Sequence, residues 1–168
     1  GVQTCALPIL NAPSLIGIPE ILAPLTAERR IELNLLSGFK TSFEQILASS
    51  SPDFTIKFEE WAPGLQDKIL AETDLVLIPK RKDGWSELKS ENRLVTSIAA
   101  GRIAIAAPIP SYQPLADWCV LTTDFLAGIR DVLARPDFYL DKLRQGQAYT
   151  RGKYDLRVIE AVWNALLT

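Results

Sequence analysis

Hydrophobic positions along this chain switch between two spacings, and the switches mark its elements. Five short apolar runs read as strands: 31–36 (IELNLL), 54–58 (FTIKF), 74–78 (DLVLI), 103–107 (IAIAA) and 120–123 (VLTT). FTIKF alternates, as a half-buried strand does, whereas DLVLI is continuous and suits burial on both faces. Helical spacing fills the intervals. Leu15, Ile18, Leu22 and Leu25 lie on one helical face, interrupted by Pro19 and Pro24, so a broken helix is expected over 11–28. Thr41-x-x-Glu44 has the form of a capping box ahead of Phe43, Ile46 and Leu47. Helices are further expected over 64–72, over 91–100 with a stop at Gly101, around Phe125 to Leu133, over 137–147, and over 155–167. Strands that alternate with helices imply a parallel sheet, here of about five strands, with helices on both faces.

In such sheets ligands sit outside the carboxyl ends of the strands. Those ends are Ser37-Gly38, 79–90, and 108–112, the last closing on Tyr112. The second is the richest in chemistry. A polar loop leads into Lys89, Ser90, Glu91, Asn92 and Arg93, where a helix begins. The first turn of a helix has unpaired N–H groups and a partial positive charge, which together suit a phosphate. Ser90 is expected to cap that helix, with Glu91, Asn92 and Arg93 in its first turn. Arg93 stands where a capping box has glutamate; a cation there becomes favourable once a diphosphate gives it two oxygens to grip. Lys89 adds a point charge. The plain alternative is a solvated helix start. Gly38 is either a close-approach turn or an ordinary loop entry. Tyr112 either stacks on a base or sugar or packs inside, and Trp85 either folds over a ligand or serves a surface. Asp74 and Glu87 are isolated carboxylates with no second acid placed to pair with them, so no catalytic residue is assigned.

Composition narrows the field. At 168 residues, 48% of them apolar, the chain can bury a sizeable core. Its formal charge of −2 gives no basic footprint for nucleic acid. No apolar run approaches the ~18 residues of a membrane span, and a cytoplasmic location is expected. Histidine is absent, which excludes Ser–His–acid and Cys–His nucleophile systems. Two cysteines, Cys5 and Cys119, cannot close a zinc site, and Cys119 is expected in the core.

The first nine residues, GVQTCALPI, start without methionine and resemble a translated sequencing adapter. That reading sets 1–9 aside, gives a domain of 10–168, and implies that a first strand has been cut away, with 6–10 filling part of its place. From Asp74 to Tyr112 the residues resemble the C-terminal domain of B-type (GT-B) glycosyltransferases. The matching pieces are Asp74-Leu75-Val76-Leu77-Ile78-Pro79, Lys89-Ser90-Glu91-Asn92-Arg93, Ala99-Ala100-Gly101, the strand at 103–107, and Pro110-Ser111-Tyr112. Tyr154, Ile159 and Trp163 resemble the closing helix of such enzymes. The resemblance implies a Rossmann-like domain, the C-terminal half of a two-domain protein whose N-terminal domain is missing from this chain. It implies nucleotide-sugar as donor, bound without a metal or other cofactor, and an acceptor of unknown identity. Lys89, Ser90, Asn92 and Arg93 become diphosphate contacts, with Gly38, Glu91 and Tyr112 as further donor contacts. One departure stands out: many retaining members hold the donor ribose with a glutamate where this chain has Thr96. A non-catalytic binding or regulatory domain of the same fold is the alternative. A receiver-like domain fits less well, because Asp74 lies at the wrong end of its strand.

Overall fold

The computed structural model describes residues 2–6 (backbone only), 15, 17–38, 53–80 and 88–167. The helix expected at 41–47, and Trp85 and Glu87, fall outside these. Six parallel strands form one sheet: β1 (Val2–Ala6), β2 (Ile31–Ser37), β3 (Thr55–Glu60), β4 (Leu75–Ile78), β5 (Ile103–Ala106) and β6 (Val120–Leu121). Their order is β3-β2-β1-β4-β5-β6. The chain therefore winds outward twice from the centre, and the winding reverses between β1 and β4.

The count of about five strands is short by one. The missing strand is β1, in the segment set aside as adapter-like. It runs parallel to β2 (Val2 opposite Ile31, Ala6 opposite Leu35) and to β4 (Thr4 opposite Leu75, Ala6 opposite Leu77). The place given in part to 6–10 is taken by β1, at 2–6. Strand pairing is non-local, so a five-residue segment with little apolar periodicity gave no signal of its own.

The other five strands follow the reading. All four residues of β4 and all four of β5 are buried, as continuous apolar runs between two helical layers must be. β3 alternates between exposed and half-buried positions at the sheet edge. There Lys57 Nζ meets Glu32 at 2.7 Å across the ladder.

Among the described residues, six helices flank the sheet. The broken N-terminal helix is α1 (Ile18–Leu22), continued as a 3-10 turn over Ala23–Ala27 once Pro24 withdraws its N–H. Then come α2 (Leu65–Ala71), α3 (Asn92–Ala99), α4 (Phe125–Ala134), α5 (Pro136–Tyr154) and α6 (Leu156–Leu167). α3 packs on α5 and on β5, and α4 packs on α1 and β5. α3 ends as the Gly101 signal predicts. The N–H of Gly101 donates to the Ile98 carbonyl (2.9 Å) and that of Arg102 to the Ser97 carbonyl (2.9 Å), a Schellman closure with Gly101 at φ +75°. α5 runs to Tyr154, well past the expected 147. No helix among the described residues is long and apolar enough to cross a membrane.

Candidate functional site

Pro79 closes β4 at the carboxyl edge, beside the point where the winding reverses. α3 starts one residue later than the sequence suggests. Its cap is Glu91, in helical conformation (φ −74°, ψ −1°), and no side chain caps it. Ser90 is therefore not the cap; it stands exposed just outside the helix. Residues after Ser90 already hold helical angles, so its hydroxyl is too far back to reach the first-turn N–H groups. Among the described residues those groups have no side-chain acceptor.

Two hydrogen bonds fix the approach to this helix. Ser111 Oγ, in the 3-10 run Pro110–Trp118, donates to the Lys89 carbonyl at 2.6 Å. Tyr154, at the end of α5, donates its hydroxyl to the Glu91 carboxylate at 3.1 Å. Glu91 is thus engaged with the end of α5, a role that only the fold reveals. Ser111 could be found only through the fold.

Arg93 is half-buried, and burial pulls its guanidinium below the usual arginine value, with Tyr112 acting in the opposite sense. Among the described residues nothing forms a hydrogen bond or ion pair with that guanidinium. Tyr112 is fully buried (0% exposed), so its ring packs in the core and is not free to stack on a ligand from the surface. Its hydroxyl has no hydrogen-bond partner, and burial pushes its pKa up to about 12, with Arg93 opposing and Cys119 and Glu91 adding to the rise. Gly38 is exposed at the same edge, after β2, one strand away from the reversal. Asp74 opens β4 at the opposite, amino edge.

Thr96 Oγ1 donates to the Asn92 carbonyl at 2.8 Å. It also lines a groove of about 610 Å³ between α2, α3 and the end of α5, with Asp67, Arg151, Tyr154 and Asp155. Cys119 is free and buried, as expected, and burial pushes its thiol up to about 12. No cluster of three or more metal-ligating side chains occurs among the described residues.

Cys119 and Tyr112 together predict an alkaline limit. Both hold their protons in the folded state beyond their ordinary values of 9.0 and 10.0. The folded chain therefore binds more protons than the unfolded one above pH 9, and stability falls as pH rises toward 12. Melting temperature should decline over that window in wild type, and the decline should flatten in a Cys119→Ala, Tyr112→Phe double variant.

No family model matches the sequence, and no curated protein does. Solved structures do match. HepE from Anabaena, in complex with UDP and glucose, aligns with a TM-score of 0.74 at 14% identity, over 99% of this chain and 48% of that one. The catalytic domain of cholesterol-α-glucosyltransferase from Helicobacter pylori aligns with a TM-score of 0.63 at 13% identity, over 89% of this chain and 96% of that one. This is a glycosyltransferase-like fold of the GT-B type. UDP-GlcNAc 2-epimerase from Neisseria meningitidis, bound to UDP-GlcNAc, shares the frame at 12% identity with a TM-score of 0.59. A GT-B-type fold at such identities fixes topology and leaves chemistry to the site. The chain spans about half the length of HepE, with 48% of that chain covered.

Proposed function

We propose that this chain is the donor-binding half of a glycosyltransferase and holds the diphosphate of a nucleotide-sugar at the first turn of α3. The observation that carries the reading is the half-buried Arg93 guanidinium, without a described partner, beside a helix start that no side chain caps. An oxyanion there gains charge-assisted bonds in a partly desolvated setting. Lys89 supplies a second cation, and Asn92 and Ser90 supply neutral donors. Charge on the departing diphosphate is stabilised by Lys89, Arg93 and the helix start, with no metal required. Gly38 lets the donor approach the backbone at the neighbouring strand end.

The acceptor site and any catalytic base belong, on this reading, to a second domain facing the same edge. α6 supports it: Leu156, Ile159, Trp163 and Leu166 leave an apolar stripe exposed, and none of its residues is buried. Such a stripe ordinarily has a cover.

Calorimetry with UDP tests the site. Binding to this chain should be weak, and Arg93→Ala should weaken it about tenfold or more, the worth of one charge-assisted contact of ~1.5–3 kcal/mol. Unchanged affinity in Arg93→Ala, or no UDP binding by any form of the protein, would overturn the proposal. A second reading, a non-catalytic binding domain, is favoured by Thr96, whose hydroxyl is engaged with the helix backbone. UDP release from UDP-sugars by the longer gene product separates the two.

A further inference from the structure

The amino edge of the sheet, opposite the donor edge, holds a second cavity. It measures about 440 Å³ and lies under the junction of α4 and α5, beside the starts of β4 and β5. Its floor is aliphatic: Leu75, Ile103, Val132, Leu133 and Leu143. Two arginines line it, Arg29 just before β2 and Arg102 just before β5. The Nε atom of each is buried and has no hydrogen-bond partner. Arg102 is held in place by Nη2, which donates to the Ala71 carbonyl at 2.9 Å. The Arg29 side chain bonds to none of the described residues.

Nearby acids do not neutralise these two cations. Glu28 is paired with Arg130 at 2.8 Å, Asp131 with Arg135 at 2.5 Å, and Asp141 with Arg144 at 2.6 Å. Asp74, also in the lining, has an interaction of its own. Counting Asp74 against the two arginines, the lining keeps a net formal charge of +1. A buried N–H without an acceptor is costly, and both arginines that carry one here line the same apolar cavity, so an acceptor oxygen bound there would relieve them.

We propose that this cavity binds an anionic amphiphile: a carboxylate or phosphate head between Arg29 and Arg102, with an aliphatic body over the leucine floor. The site is separate from the donor edge and does not depend on the function proposed above.

The probes are decanoate, decyl phosphate and uncharged decanol, titrated below their aggregation limits into the full chain by calorimetry. At least one anionic probe should bind with 1:1 stoichiometry and at least tenfold tighter than decanol. The stronger of the two anions identifies the head. Arg29→Gln, which loses no bond to the described residues, should abolish that advantage. Saturating UDP should leave it unchanged. Leu143→Trp, which fills the floor, should remove binding altogether, with an intact melting transition as the check on folding. Equal affinity for decanol and both anions, displacement by UDP, or undiminished anion binding in Arg29→Gln would each overturn the proposal.

Discussion

Deleting residues 1–9 should leave a chain that no longer folds cooperatively. β1 is hydrogen-bonded to β2 on one side and β4 on the other, so it alone joins the β3-β2 half of the sheet to the β4-β5-β6 half. Without it, two interior strands become edges. Leu33 and Leu35 on β2 and Val76 and Leu77 on β4, each at most 1% exposed, would flank a slot of unpaired backbone. Each buried, unpaired backbone group costs about 1–3 kcal/mol. Several such groups exceed the ~5–15 kcal/mol that separates folded from unfolded domains. Circular dichroism should show no cooperative melt, and gel filtration should show aggregates, because exposed edges recruit other chains. A deletion variant that melts at the wild-type temperature would remove β1 from the fold. Replacing VQTCA with another strand-forming pentapeptide should restore folding, because β1 contributes backbone pairing that many sequences supply. That outcome holds whatever nucleotide sequence encodes the segment.

The fate of β1 illustrates what the sequence could and could not convey. β4 and β5 were legible because burial on both faces forces continuous apolar runs, and four residues of each are indeed buried. The end of α3 was legible because Gly101 takes a left-handed conformation that other residues rarely adopt. β1 was not, because its pairing is set by partners 29 and 71 positions away in the chain. At the site, the residue types were readable: an arginine and a lysine at a helix start on the carboxyl edge. Their partners were not. The Tyr154–Glu91 bond spans 63 positions, and the Ser111–Lys89 bond spans 22. One consequence is that Glu91, read as a possible donor contact, is engaged with α5. Another is that Tyr112 is held inside the core. The arginine pair at the amino edge left no trace in the sequence, since Arg29 and Arg102 are 73 positions apart and come to line one cavity only after the sheet has wound.

Gly146→Ala should destabilise the fold by about 1–3 kcal/mol, although helix propensity alone argues for stabilisation. A Cβ at Gly146 would lie 2.6 Å from Trp118 Cβ, 2.9 Å from Trp118 Cγ and 3.0 Å from Ile98 Cγ2. Trp118 cannot easily retreat. Its ring stacks on Tyr149 with centroids 4.2 Å apart, and its Cβ is fixed by the end of the 3-10 run. Nor can Ile98, which is fully buried in α3. The extra methyl therefore wedges α5 away from both neighbours, and the ~1 kcal/mol gained by replacing a helical glycine is outweighed. Gly152 provides the control on the same helix, since a Cβ there meets nothing within 4 Å. Gly152→Ala should raise the melting temperature by a few degrees, and Gly146→Ala should lower it by about 2–4 °C for each kcal/mol lost. Equal shifts in the two variants would mean that propensity and not packing governs α5. The contrast also reaches the candidate site, because α5 bears Tyr154 and so holds Glu91 at the cap of α3. Displacing α5 should weaken UDP binding in Gly146→Ala and leave it unaltered in Gly152→Ala.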